Sequence, residues 1–172
     1  SKRATLAGLD PARWGPEGLW DAFLHNSKGD VTHALELVDE GLRSALASKA
    51  AVAEAYWMMV RARVLHDLGR LDEAKLQAES VLSLAGELGL GDFANATAGI
   101  VLFRIALRTG DTALRQQSEP IVVALASGGG VVRAGQWMLV LRALNDGNVD
   151  DAVAHSALAR ESLHDPIPAM TT

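Results

Sequence analysis

Leu68-Gly69-Arg70-Leu71-Asp72-Glu73-Ala74 decides the fold. A glycine between two apolar-periodic stretches takes the left-handed conformation that ends one helix, and the polar residues after it start the next. The same punctuation returns at Gly29-Asp30-Val31-Thr32-His33-Ala34, at Gly110-Asp111-Thr112-Ala113-Leu114 and at Gly147-Asn148-Val149-Asp150-Asp151-Ala152. The four glycines stand 40, 41 and 37 residues apart. One turn returning at near-constant spacing marks a repeat whose units bury their apolar faces against their neighbours.

Working outward from each turn, the periodicity predicts helices over 16–27 and 30–47, 50–68 and 71–88, 92–109 and 111–127, and 131–145 and 148–163. The fold class expected is therefore all-α: four antiparallel hairpins, about 16–47, 50–88, 92–127 and 131–163, in one domain covering 1–172. Val31, Ala34, Leu35, Val38, Leu42, Ala45 and Leu46 form one stripe at three-and-four spacing, and Leu71, Ala74, Ala78, Val81, Leu82 and Ala85 form another. Trp137-Met138-Leu139-Val140-Leu141 is apolar all round, which predicts a helix packed on several sides. Gly86, Gly89 and Gly91, and then Gly128-Gly129-Gly130, read as links between hairpins. Pro120 removes a backbone donor inside the sixth helical segment and predicts a kink or break at 117–120. His164 to Thr172, with Pro166 and Pro168, reads as a frayed tail. With no initiator methionine, the chain is expected to be a piece of a longer protein.

Composition narrows the function. Apolar residues make up 49% and charged residues 22%, a balance that belongs to folded chains. A net charge of -5 argues against a nucleic-acid surface, because phosphate neutralisation needs a basic excess. The absence of cysteine removes thiolate chemistry, disulfides and cysteine-held zinc. No apolar run is long enough to span a bilayer.

The turn at Leu68–Ala74 resembles the centre of a tetratricopeptide repeat, with Ala34, Ala74 and Ala152 at the small-residue position where the second helix crosses the first. Ala62, Phe103 and Val140 stand where that repeat carries a glycine, the closing proline is missing, and the period is near 40 instead of 34. This longer form resembles the helical sensor region of large ATP-dependent LuxR-type transcription regulators of the maltose-activator kind. The segment Ala85 to Asp111, with its Leu-Gly-Leu-Gly-Asp connector and Arg-Thr-Gly-Asp turn, carries most of that likeness. The resemblance implies a right-handed solenoid in a cytoplasmic bacterial regulator, lying between an ATPase module and a DNA-binding helix-turn-helix. Neither of those modules has its motifs in these residues.

A search for chemistry yields no catalytic constellation, no metal site and no cofactor-binding motif. No two of the five histidines sit four apart on one helix, so a zinc pair is not expected. Asp72-Glu73 and Asp150-Asp151 are first-turn acids that favour the helix dipole. Trp14 and Trp20 are expected to cap the first hairpin, and Trp57 and Trp137 to pack in the core or to offer a ligand platform. The charges divide by helix. First helices of the last three hairpins carry Arg61, Arg63, Arg104, Arg108, Arg133 and Arg142 against Glu54, Asp67 and Asp92, and the second helices carry an acidic excess. In a tetratricopeptide-like solenoid the first helices line the concave face, so the resemblance implies a basic groove. Tyr56, Met59, Arg63, His66, Ile100, Arg104, Arg108, Trp137 and Leu141 are the expected lining: an apolar trough edged by guanidinium groups that can hold a carboxylate or phosphate through paired hydrogen bonds. The alternative is that the arginines pair with acids of neighbouring helices. The function expected is that of a non-catalytic module binding a protein, a peptide or an anionic small ligand, without direct nucleic acid or membrane contact. A spacer or self-associating segment is the competing expectation. Paired arginines and an exposed apolar end hairpin would favour it.

Overall fold

The computed structural model describes residues 15–90, 92–128 and 132–161; residues 1–14, 91, 129–131 and 162–172, with Trp14 and the expected tail among them, lie outside the described residues. Among the described residues there are eight α-helices and no strand. They are α1 (Leu19–Ser27), α2 (Val31–Ala47), α3 (Ala51–Asp67), α4 (Leu71–Leu88), α5 (Asp92–Thr109), α6 (Thr112–Ser127), α7 (Val132–Asn145) and α8 (Val149–Glu161). The expected boundaries hold to within about three residues. No helix is long and apolar enough to cross a membrane.

The four turns close alike. Gly29, Gly69, Gly110 and Gly147 all have φ between 71° and 84°, where a side chain would be strained. In each, the next residue's N–H reaches back to a carbonyl five residues earlier: Asp30 to His25, Arg70 to Leu65, Asp111 to Ala106 and Asn148 to Ala143, at 2.8 to 3.2 Å. This bond satisfies a carbonyl that the end of a helix leaves open. A Cβ on any of these glycines would touch nothing, so their requirement is conformational alone.

Packing is local. Each helix contacts the next, and α1 with α3, α3 with α5, and α5 with α7 also touch. Every first helix after α1 is thus lodged against both helices of the hairpin before it. The largest core runs from α1 into α6, and smaller ones join α5 to α7 and α7 to α8. Small residues set the closest approaches. Ala34, Ala74 and Ala152 are buried on α2, α4 and α8 at one turn-relative position, as the sequence predicts. A Cβ on Gly41 would fall within the Trp57 indole, and one on Gly135 would strike the backbone of Ala126. Trp57 is accordingly a core residue. Trp20 stacks on Phe23 with ring centroids 5.5 Å apart.

Two expectations are corrected. The sixth helical segment does not break at Pro120: α6 is continuous from Thr112 to Ser127. Ser118 donates its hydroxyl to the Leu114 carbonyl at 2.7 Å. The cap is Asp111, whose carboxylate accepts from Leu114 N–H at 2.9 Å. The 137–141 run is not enclosed on all sides either: Met138, Leu139 and Val140 are buried, Trp137 is half-buried and Leu141 is exposed.

Candidate functional site

Counting back ten, six and three residues from each turn glycine gives Leu19, Phe23 and Asn26 on α1, then Met59, Arg63 and His66 on α3. It gives Ile100, Arg104 and Leu107 on α5, then Trp137, Leu141 and Leu144 on α7. These spacings keep the three residues of each set on one face of their helix. Seven of the nine expected groove residues fall in these sets; Tyr56 lies a turn before Met59, and Arg108 near the end of α5.

The sets open progressively along the chain. Leu19, Phe23 and Met59 are fully enclosed, and Arg63, His66 and Ile100 nearly so. Arg104, Leu107 and Trp137 are half-buried, and Leu141 and Leu144 are exposed. Tyr56, Met59 and Ile100 belong to the core, so the second and third hairpins present no open apolar trough there. The physical reason is that successive first helices touch, and the ridge expected to face a ligand is spent on their contact.

At the buried end of the ridge the organising group is Asp67, in the last turn of α3. Asn26 of α1 donates its side-chain amide to Oδ2 at 2.7 Å. Arg104 of α5 approaches Oδ1 at 3.1 Å, and His66 Nδ1 lies 2.9 Å from the same oxygen. Arg63 Nε stands 4.0 Å from Oδ2, and its guanidinium lies over the Phe23 ring, 5.4 Å from the centroid. One carboxylate therefore joins three first helices. Burial pushes its carboxyl upward. The His66 contact, the Arg104 charge, the Asn26 hydrogen bond and the Arg63 charge outweigh that and hold it at about 2, below the ordinary 3.8. The Arg63 guanidinium is moved down, by burial first and by the Arg104 charge, with Asp67 opposing.

This acid was legible in part. A carboxylate in the last turn of a helix opposes the helix dipole, so it calls for cations from elsewhere. Arg63, four residues before it, was one of them; Asn26 and Arg104 come from 41 residues before and 37 after. Periodicity within a helix does not show which residues of other helices come opposite.

Arg61 and Arg142 are paired too. Arg61 Nε donates to Asp39 at 2.8 Å, and Arg142 donates to Glu119 at 2.8 Å. Each pair joins a first helix to the second helix before it. Arg115 extends the later one, gripping Asp146 with both terminal nitrogens and Glu119 through Nε at 3.2 Å. Arg108 is exposed with no ion pair among the described residues. No group of three or more His, Asp or Glu able to hold a metal is found among those residues. Of the histidines, His25 contacts Asp30 at 3.0 Å and His155 contacts Gln136 at 2.8 Å. No protein-family profile matches the chain, and no curated protein or solved structure is similar enough to match it.

Proposed function

We propose that the chain is a tetratricopeptide-like, right-handed helical solenoid that acts as a non-catalytic structural spacer and coupling segment of a larger cytoplasmic signalling protein, in the manner of LuxR-type transcription regulators; the paired arginines and the exposed apolar side chains of the last hairpin favour this over a ligand-binding groove. The observation that carries this reading is the position of Asp67. Arg63 and Arg104, the two guanidinium groups on which an anion site in the groove depended, both face this internal carboxylate. An external carboxylate or phosphate would have to displace it, and a buried cation gains little by exchanging one anion for another. Competition for the arginines therefore favours the internal acid, and function moves from the groove to the helical framework and its surfaces. Tying α1, α3 and α5 to one side chain lets a displacement at one hairpin be felt by the next, which is what a relay between flanking domains requires.

The test is a calorimetric titration of the intact chain with inorganic phosphate and with an acidic peptide. It is repeated on Arg104→Gln, and a double-mutant cycle joins Asn26→Ala to Arg104→Gln. No saturable binding at the ridge and a coupling between Asn26 and Arg104 are expected. Saturable phosphate or peptide binding that Arg104→Gln abolishes would return the function to the groove.

A further inference from the structure

We propose that the first helix-to-helix turn holds a divalent ion of the zinc–copper class between His25 and His33, one imidazole from each side of the turn. Such a site is independent of the spacer role.

The turn builds the pair. His25 lies in the last turn of α1 and His33 in the first turn of α2, four residues before and four after Gly29. The left-handed glycine folds the chain back, and the Asp30 N–H closes on the His25 carbonyl at 3.0 Å. The two imidazole rings come to 4.5 Å between centroids. Two imidazoles bound to one zinc ion at about 2.0–2.1 Å each hold their centroids roughly 4.5–5 Å apart. An ion can therefore reach both rings by rotation of the side chains alone, without movement of the backbone. Spacing within one helix does not reveal such a pair, because its members sit on different helices.

Two carboxylates prepare the nitrogens. His25 Nδ1 lies 3.0 Å from Asp30 Oδ2, and His33 Nδ1 lies 3.2 Å from Glu36 Oε2. An ionised carboxylate only accepts, so each Nδ1 carries the proton that it donates. In a neutral ring Nε2 is then the proton-free nitrogen, with a lone pair to offer a metal. Histidines that ligate metals are commonly oriented in this way, the second nitrogen tied to a carboxylate. Asp30 and Glu36 also surround the pair with negative charge, which favours a divalent cation. Packing gives no account of the two rings. At the other three turns the residue four before the glycine is Leu65, Ala106 or Ala143, each buried. His25 and His33 keep 37% and 45% of their side chains exposed.

Ligand type selects the ion. Imidazole nitrogen suits zinc and copper, whereas magnesium and calcium prefer oxygen. Among the described residues no third His, Asp or Glu completes a metal-holding group with the pair. Water fills the remaining positions, as it does in open zinc sites. A bound ion links α1 to α2 across the turn and resists their separation.

The probe is Zn²⁺ alone, titrated into the intact, isotopically labelled chain at neutral pH, with Mg²⁺ as the control for simple attraction to the carboxylates. Imidazole and amide resonances report the place of binding. Saturable shifts are expected at His25 and His33 with Zn²⁺ and none with Mg²⁺. Loss of a ligand costs at least as much as loss of the group that orients it, so His25→Gln and His33→Gln should each weaken binding about tenfold or more. His155→Gln, on α8, should leave it unchanged. The rings at 25 and 33 are both partly exposed, so both variants should fold, and circular dichroism checks it. Shifts confined to other residues, equal shifts with Mg²⁺, an affinity indifferent to both substitutions, or no saturable binding at millimolar Zn²⁺ would each overturn the site. The phosphate and peptide titrations of the ridge use other probes at another place, so either idea fails without the other.

Discussion

Two charge clusters join hairpins in this molecule, and they differ in their access to water. At the Asp67 junction a carboxylate with 21% of its side chain exposed faces Arg63, itself almost wholly enclosed. At the Glu119 junction Arg115, Arg142, Glu119 and Asp146 are each between a quarter and two fifths exposed. Arg63 stands 4.0 Å from Asp67 and Arg142 stands 2.8 Å from Glu119, yet the longer, enclosed contact is the one whose loss should cost more. A buried cation deprived of its anion has no solvent to turn to, whereas a half-exposed one recovers most of what it loses by hydration. Access to water, more than contact distance, therefore decides which of the two clusters the fold depends on.

The sharpest way to break that contrast is Asp67→Ala, which leaves Arg63 enclosed beside Phe23. A loss of about 3 kcal/mol is expected in chemical denaturation. A loss no larger than that of the Glu119 variant would remove the distinction. Next in size is Ala74→Leu, at the fully enclosed crossing of α3 and α4, with a cost of about 2 kcal/mol from overpacking. An unchanged denaturation midpoint would show the crossing to be looser than described.

Acid supplies a third probe of similar size. Because the Asp67 carboxyl is held at about 2 in the fold and ionises near 3.8 otherwise, its contribution is present above 3.8 and lost as pH falls toward 2. The shift corresponds to about 2 kcal/mol. Denaturation at pH 6 and at pH 2.5 should show a smaller acid-induced loss in Asp67→Asn than in the parent chain; equal losses would contradict the low carboxyl value. The smallest effect is expected for Glu119→Ala, below about 1 kcal/mol and diminished further by salt. A cost near that of Asp67→Ala would mean that the outer network is as well shielded as the inner one.

The turn glycines and the small residues at helix crossings were readable because both depend on local rules: a backbone angle that only glycine takes easily, and a contact distance that only alanine permits. The sign of the charge on each helix was readable too. What was not readable was opposition across helices. Alignment of the turns with the tetratricopeptide pattern puts Met59 and Ile100 in one phase with Arg63 and Arg104, and phase alone does not tell a wall facing solvent from one facing the next helix. Pro120 predicts a kink or break at 117–120, yet α6 runs unbroken through it, the proline's local preference being overridden by burial of Leu114, Val122 and Leu125 on either side. Leu141, which the sequence places both in a run packed on several sides and in the groove lining, is 40% exposed, and the periodicity of α7 alone does not show which neighbours flank it.

Helices that touch only partners one or two places away have a kinetic consequence. Contacts close over short stretches of chain, so the entropy of closing long loops is largely avoided and folding should be fast for a chain of this length. Collapse can begin where the interior is largest, around α3 and α4, and spread outward one hairpin at a time. The same route taken in reverse makes α7 and α8 the first to open, and amide hydrogens there should exchange sooner than those of α3, which has described helices packed on both sides.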